Sequence, residues 1–285
     1  MILVSGASGF IGRHLMASLL SDALPCRALV RSYQRQSHAT NYVIADLSDG
    51  DKLVEATKGI DTVYHCAGYA HAFSDGSEDT TEKNWRINFE GTKNLVEAAG
   101  RSGAKRFVFL SSVKAMADPG ELCINETDER LPDSVYGMSK RAAEEVVISA
   151  GKRFDMHVVN LRLAMVYGSC GRGNLERMAA LIRYGIFPPL PETGNRRSLV
   201  HVNDVIDAMR LVCGDPRANG KTYIVANQHA PSGREIYDAI RVALGQSANR
   251  FYVSERLLRS LAWLCDGFQS VFRIKVPFNS EVLSR

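Results

Sequence analysis

Tyr136 and Lys140, in Tyr136-Gly137-Met138-Ser139-Lys140, stand four residues apart near the start of an amphipathic stretch. Residues at i and i+4 share one helix face, so this pair can hold a lysine ammonium beside a phenol. A phenol of ordinary pKa about 10 is a poor base at neutral pH, but nearby positive charge favours the phenolate. The pair could then take a proton from a hydroxyl or return it. With ten tyrosines in the chain, Tyr-x-x-x-Lys arises readily by chance and needs corroboration. Gly6-Ala7-Ser8-Gly9-Phe10-Ile11-Gly12, directly after an apolar run, supplies it. Glycines there allow a tight strand-to-helix turn, close backbone approach to a pyrophosphate, and helix-on-strand packing. The helix N-terminus would face phosphates with its unsatisfied N–H groups and positive dipole end. Plain turn glycines are the alternative, disfavoured by their place at a first strand–helix junction. An oxidised nicotinamide bound there would itself favour the phenolate, and hydride would pass as the proton does.

Elements able to position these groups can be read from the apolar pattern. Strand-like runs fall near 1–5, 26–30, 41–44, 61–65, 105–110 and 156–161, with amphipathic stretches at 11–21, 51–57, 85–101 and 136–150. This alternation predicts an α/β fold, a Rossmann-type doubly wound parallel sheet with helices on both faces. After Tyr167 glycines and prolines cluster, as in Gly168, Gly171, Gly173, Pro188, Pro189, Pro191 and Gly194. We therefore divide the chain into a dinucleotide-binding domain over 1–165 and a smaller C-terminal α/β substrate lobe over 166–285 that returns partly to the main sheet. Leu257, Leu261, Leu264, Cys265, Phe268, Val271 and Phe272 form one helical stripe, read as a core-packing helix over 257–272 with a membrane-surface or partner helix as the alternative.

The glycine spacing differs from Gly-x-Gly-x-x-Gly and resembles that of the short-chain dehydrogenase/reductases. Asp46-Leu47 resembles the adenine-contacting pair of that superfamily, and His65-Cys66-Ala67-Gly68 its small-residue turn after the fourth strand. Ile87-Asn88-Phe89-Glu90-Gly91-Thr92 resembles its central-helix asparagine motif, and Phe107-Val108-Phe109-Leu110-Ser111-Ser112 its fifth strand. Each alone has a plainer explanation: Asp46 as a helix cap, His65 as a satisfied core histidine, Asn88 as a polar residue inside a helix, the serines as strand-end turn chemistry. In this order and spacing, the resemblance implies catalysis by Ser112, Tyr136 and Lys140. Ser112 would donate a hydrogen bond to the reacting oxygen and Lys140 would bond the nicotinamide ribose. Cofactor contacts would come from Gly6, Ser8, Gly9, Phe10, Ile11, Gly12, Asp46, Leu47, Cys66, Ala67, Gly68, Asn88 and Ser111, besides Tyr136 and Lys140.

The second half narrows the resemblance to extended members that act on nucleotide sugars, the NAD-dependent epimerase/dehydratase family. Leu161-Arg162-Leu163-Ala164-Met165-Val166-Tyr167-Gly168 is similar to a Leu-Arg-x-x-Asn-Val-Tyr-Gly segment, with Met165 in place of the asparagine. Arg196-Arg197-Ser198-Leu199-Val200-His201-Val202-Asn203-Asp204 is similar to their Arg-Asp-Tyr-Ile-His-Val-x-Asp segment. By that likeness Arg197 grips a diphosphate, as a guanidinium fork suits phosphate oxygens, His201 is structural and Asp204 caps the next helix. The resemblance implies a UDP-sugar substrate acted on at C4. Its leading form is a UDP-4-keto-6-deoxyhexosamine reductase of surface-polysaccharide synthesis, and the alternative is a UDP-glucose or UDP-GlcNAc 4-epimerase. A 4,6-dehydratase is disfavoured by Lys114, where that subgroup carries an acid. A non-catalytic NAD(P) sensor is disfavoured by the intact Ser112, Tyr136 and Lys140. Arg31 ends the second strand where an NAD enzyme carries an acidic residue, and with Arg13 and Arg35 it points to NADP(H), with NAD(H) as the alternative. The resemblance further implies a homodimer built on helices around 88–101 and 137–150. It also implies a C-terminal Gly-Trp segment, which a chain ending at Arg285 is expected to lack.

Composition agrees with a globular enzyme. The 285 residues are 45% hydrophobic and 23% charged, enough for a sizeable core and unlike disordered or collagenous chains. A net charge of +4 with scattered basic residues gives no footprint for nucleic acid. No apolar run reaches the roughly 18 residues of a membrane span, and the first residues lack signal-peptide features, so a cytoplasmic protein is expected. Six dispersed cysteines without Cys-x-x-Cys predict reduced thiols and no metal site.

Overall fold

The computed structural model describes residues 1–32, 41–69, 78–120, 122–171, 173–247 and 252–254. The stripe over 257–272 and Arg35 lie outside these. Seven parallel strands form the main sheet: β1 (Ile2–Ser5), β2 (Cys26–Val30), β3 (Tyr42–Ile44), β4 (Thr62–His65), β5 (Arg106–Ser112), β6 (His157–Leu163) and, from late in the chain, β9 (Lys221–Val225). Their order is β3-β2-β1-β4-β5-β6-β9. Beside it, β7 (Met165–Tyr167) and β8 (Leu199–His201) form a two-stranded parallel pair.

Side chains alternate across the sheet, and the two faces build two cores. Val4, Tyr64, Val108, Leu110, Val159 and Leu161 pack with α1 (Phe10–Ser21) and α7 (Val202–Gly214). Leu3, Val63, Phe107, Phe109 and Val158 pack with α2 (Gly50–Thr57), α4 (Gly91–Arg101) and α5 (Val135–Phe154). Strands buried on both faces read as continuous apolar runs, which is why β1, β2, β4, β5 and β6 were legible in the sequence; the edge strand β3, with Tyr42 and Ile44 exposed, is a short apolar run without that burial. A polar helix, α3 (Glu78–Asn84), was not; it runs through a π-helical turn, Trp85–Glu90, into α4.

The chain forms two compact units. One comprises Met1–Gly171 and Leu199–Asn227, the other 172–198 and 228–285. The second half thus gives β8, α7 and β9 to the first unit. Within the second unit α6 (Asn174–Arg183) and α8 (Gly233–Ala243) are formed, α8 opening on a capping box of Ser232 and Glu235. Among the described residues no helix is long and apolar enough to cross a membrane, and no group of three His, Cys, Asp or Glu converges. The described cysteines, 26, 66, 123, 170 and 213, are free thiols.

Candidate active site

Strand order reverses at β1 and β4, and in open parallel sheets ligands bind beyond the strand C-termini at such a point. Both predicted cofactor turns start there. Gly6 has φ +67°, and a Cβ on it would lie 2.6 Å from the Ala67 nitrogen, so side chains are excluded by conformation and by space. Gly12 packs so that a Cβ would collide with the Gly6 carbonyl. The Gly9 N–H donates to the Gly6 carbonyl at 2.8 Å, which closes the turn. Gly9 then caps α1 with no side-chain hydrogen bond, and the first turn holds no acidic residue. By contrast α2, α5 and α8 have Asp49, Ser134 and Ser232 on their first N–H groups. The α1 N-terminus with Gly6, Ser8, Gly9, Phe10, Ile11 and Gly12 therefore fits a pyrophosphate, and this is the fit a nicotinamide dinucleotide requires.

The catalytic candidates meet at the end of β5. Ser134 accepts from the Gly137 N–H at 3.1 Å and starts α5, and Gly137 lets that first turn seat against the Lys114 carbonyl. Tyr136 and Lys140 then lie on one face. The Tyr136 phenol stands beside the Ser112 hydroxyl, and burial outweighs that neighbour's effect, raising the phenol above its ordinary range. Lys140 is 4% exposed. Its Nζ donates to the Leu110 carbonyl at 2.6 Å and lies 4.4 Å from the centre of the Phe109 ring. Burial lowers its pKa to about 8, with the Glu144 carboxylate pulling the other way. The ammonium thus stays largely charged at neutral pH.

Gly68 joins the two turns to this cluster: a Cβ there would be 3.3 Å from Asn88 Oδ1 and 3.6 Å from Lys140 Nζ. The Cys66 thiol beside Lys140 is pushed up to about 12 by burial and stays neutral. Asp46 lies just beyond β3, its carboxylate held low by the Ser48 hydroxyl and N–H, with Arg31 and Arg86 adding to the effect. Leu47 is half-buried against Gly91 of α4. Arg31 is exposed at the end of β2.

Several roles change in the folded chain. Asn88, expected to touch the cofactor, is 1% exposed and turned inward. Its Oδ1 accepts from the Tyr69 N–H at 2.8 Å, and its Nδ2 donates to the Tyr69 carbonyl at 3.1 Å and the Ser139 hydroxyl at 3.3 Å. Asn88 therefore staples the backbone beyond Gly68 to α5. Ser111, also expected on the cofactor, is buried and donates to Glu144 Oε1 at 2.5 Å. His65 is the satisfied core histidine, its Nδ1 2.5 Å from the Ser5 hydroxyl and its Nε2 2.9 Å from the Thr92 hydroxyl. His201 is structural, and it rather than Asp204 caps α7, accepting from the Asn203 N–H. Arg197 belongs to the second unit, half-buried and with no ion pair among the described residues, whereas Arg196 pairs with Glu235 at 3.0 Å.

The sequence reading missed the pair Glu144–Arg162, buried at the foot of the site. Its signal was available: Glu144 continues the Tyr136, Lys140 face by one more turn, and a carboxylate there requires a buried partner.

Residues 2–226 match the NAD dependent epimerase/dehydratase family. The chain belongs to that family. It is 32% identical over 250 residues to a UDP-glucose 4-epimerase of Vibrio cholerae, spanning 85% of this chain and 75% of that protein. It is 26% identical over 273 residues to a 3-beta-hydroxysteroid dehydrogenase of Mycolicibacterium neoaurum, spanning 90% and 74%. Among solved structures it is similar to MoeE5 in complex with UDP-glucose and NAD, with a TM-score of 0.75 and 27% identity over 87% of this chain and 83% of that one. The chain is thus an enzyme of this family, with a Rossmann-type sheet and an NAD(H)-type cofactor.

Proposed function

We propose that this enzyme transfers hydride at C4 of a UDP-hexose or UDP-hexosamine, as a reductase of a UDP-4-keto-6-deoxyhexosamine in surface-polysaccharide synthesis. The arrangement of Ser112, Tyr136 and Lys140 at the end of β5 carries the reading. When bound, the nicotinamide supplies the hydride. Ser112 orients the reacting sugar oxygen, and Tyr136 passes its phenolic proton to that oxygen as the ketone becomes an alcohol. Burial keeps the phenol protonated, which is the form a proton donor needs before turnover. Lys140 holds the nicotinamide ribose and presents positive charge to the phenolate left behind.

Arg197 grips the diphosphate of the substrate. Its half-buried guanidinium, unpaired among the described residues, supports that role, because a desolvated cation gains most from a dianionic partner. Arg31 in place of an acidic residue supports NADP(H), which a net reductase can exchange with the reduced pool. The UDP-glucose bound by MoeE5 supports a UDP-sugar.

A 4-epimerase is the second reading, favoured by the likeness to the Vibrio cholerae enzyme. The two separate on one assay: purified protein, NADPH and a UDP-4-keto-6-deoxyhexosamine. A reductase consumes NADPH in proportion to sugar. Absence of consumption, with NAD released only on denaturation and interconversion of UDP-glucose and UDP-galactose, overturns it in favour of the epimerase.

A further inference from the structure

The end of β5 and the inner face of α5 are joined by three successive links. Ser112 stands beside Tyr136, the Leu110 carbonyl accepts from Lys140, and Ser111 donates to Glu144. Three consecutive strand residues thus meet helix residues spaced four apart, one per turn. Glu144 is locked from a second side by β6, where Arg162 Nε donates to Oε1 at 3.0 Å and Nη2 to Oε2 at 2.7 Å. Arg162 and Glu144 are only 3% and 4% exposed, and Arg162 Nη1 is buried without a partner among the described residues. A buried ion pair with an unmet N–H is a weak stabilising device, since an apolar pair of the same volume commonly does as well. A role in holding the reacting groups accounts for it better.

We infer that Glu144, gripped by Ser111 and Arg162, is a positioning residue that fixes the register of α5 on the end of β5 and holds the Lys140 ammonium at the Leu110 carbonyl. This rests on the reading of Lys140 as part of the reaction centre. The surroundings of Lys140 make Glu144 the decisive charge. From α5 it faces Glu144, one turn beyond it, with Tyr136 one turn before it on the same helix face, from the end of β4 His65 and Cys66, from β5 the Phe109 ring and the Leu110 carbonyl, with Arg162 of β6 beyond Glu144. The phenol, the imidazole and the thiol are neutral at pH 7, so among the described side chains Glu144 supplies the negative charge that, with the Leu110 carbonyl and the Phe109 ring, supports the ammonium against burial.

The test is Glu144→Gln in the full chain, read first without ligand by NMR titration of labelled lysine side chains. Lys140 is expected to titrate near 8 in the parent and about one pH unit lower in the variant. In turnover at pH 8 with saturating cofactor and sugar, kcat should fall about fivefold, with a much smaller loss at pH 6. A folded variant whose Lys140 titrates as in the parent overturns the inference, as does a kcat loss equal at both pH values. If Glu144→Gln does not fold, Glu144→Gln/Arg162→Met, which removes both charges, takes its place with the same expected titration. Failure of every UDP-sugar as substrate would sink the proposed function, while the lysine titration, which needs no substrate, still decides for or against Glu144.

Discussion

Acid should weaken this fold through His65. The ring is fully buried between the Ser5 and Thr92 hydroxyls, and burial lowers its pKa from 6.5 to about 3, with the Lys140 charge adding to the effect. A histidine with a depressed folded-state pKa stays neutral in the fold while the unfolded chain takes up a proton. Stability is therefore full above 6.5 and is lost progressively as pH falls from 6.5 towards 3. One pH unit in that window costs about 1.4 kcal/mol, so His65 alone removes about 2 kcal/mol at pH 5 and about 3 kcal/mol at pH 4. Urea unfolding of the parent and of His65→Gln at pH 7 and pH 5 measures this. The variant loses part of the hydrogen bonding at every pH, so the slopes and not the levels are compared. Carboxylates held low in the fold, such as Asp46, Asp49 and Asp215, add the same acid dependence to both proteins and cancel. The parent should lose about 2 kcal/mol more than the variant. Parallel losses within about 0.5 kcal/mol, or a His65 NMR titration midpoint near 6.5, would show that this ring is not the source of the acid sensitivity.

The other predictions bear on the site. Tyr136→Phe should cut kcat by about 10²- to 10⁴-fold and leave the cofactor Kd within a few-fold, measured by steady-state kinetics and cofactor fluorescence. Lys140→Met should weaken both turnover and cofactor binding; normal turnover would speak against an enzyme that works through Lys140. Gly12→Ala should abolish cofactor binding in calorimetry, because its Cβ collides with the Gly6 carbonyl and opens the turn. Arg31→Asp should shift the ratio of kcat/KM from NADPH towards NADH by about tenfold or more, and an unchanged ratio would remove the basis for NADP(H). Arg197→Ala should raise KM for the UDP-sugar with little change in kcat, as expected for lost ground-state binding.

Much of this architecture is legible in the amino-acid order. Five of the first six strands, all but the edge strand β3, are apolar runs because parallel strands inside a sheet are buried on both faces, and the amphipathic stretches between them name their own inner sides. The glycine turn declares itself because glycine tolerates φ +67° and leaves room for a crossing backbone, as Gly6 and Gly12 do. Helix periodicity places Tyr136 and Lys140 on one face, and the glycine turn and the serine pair single them out. Local pattern, in short, specifies the early strands and amphipathic helices and the residues they could offer, but not the polar helix α3.

Partnership is decided by the tertiary structure. Ser111 and Ser112 are adjacent and alike in type, yet Ser111 is buried against Glu144 while Ser112, at the end of β5, stands beside Tyr136. Asn88 is placed in its helix by local sequence, but only the approach of the Tyr69 backbone turns its amide inward. Arg162 meets Glu144 because β6 pairs with β5 in a register that sets Ser111 opposite Arg162. The return of β8, α7 and β9 to the first unit is likewise a long-range pairing, with β9 hydrogen-bonded to β6 from much earlier in the chain. Such pairings depend on residues far apart in the chain, and no local spacing encodes them. Propensity and periodicity act within a few turns, whereas a buried charge finds its partner only after the sheet has assembled around it.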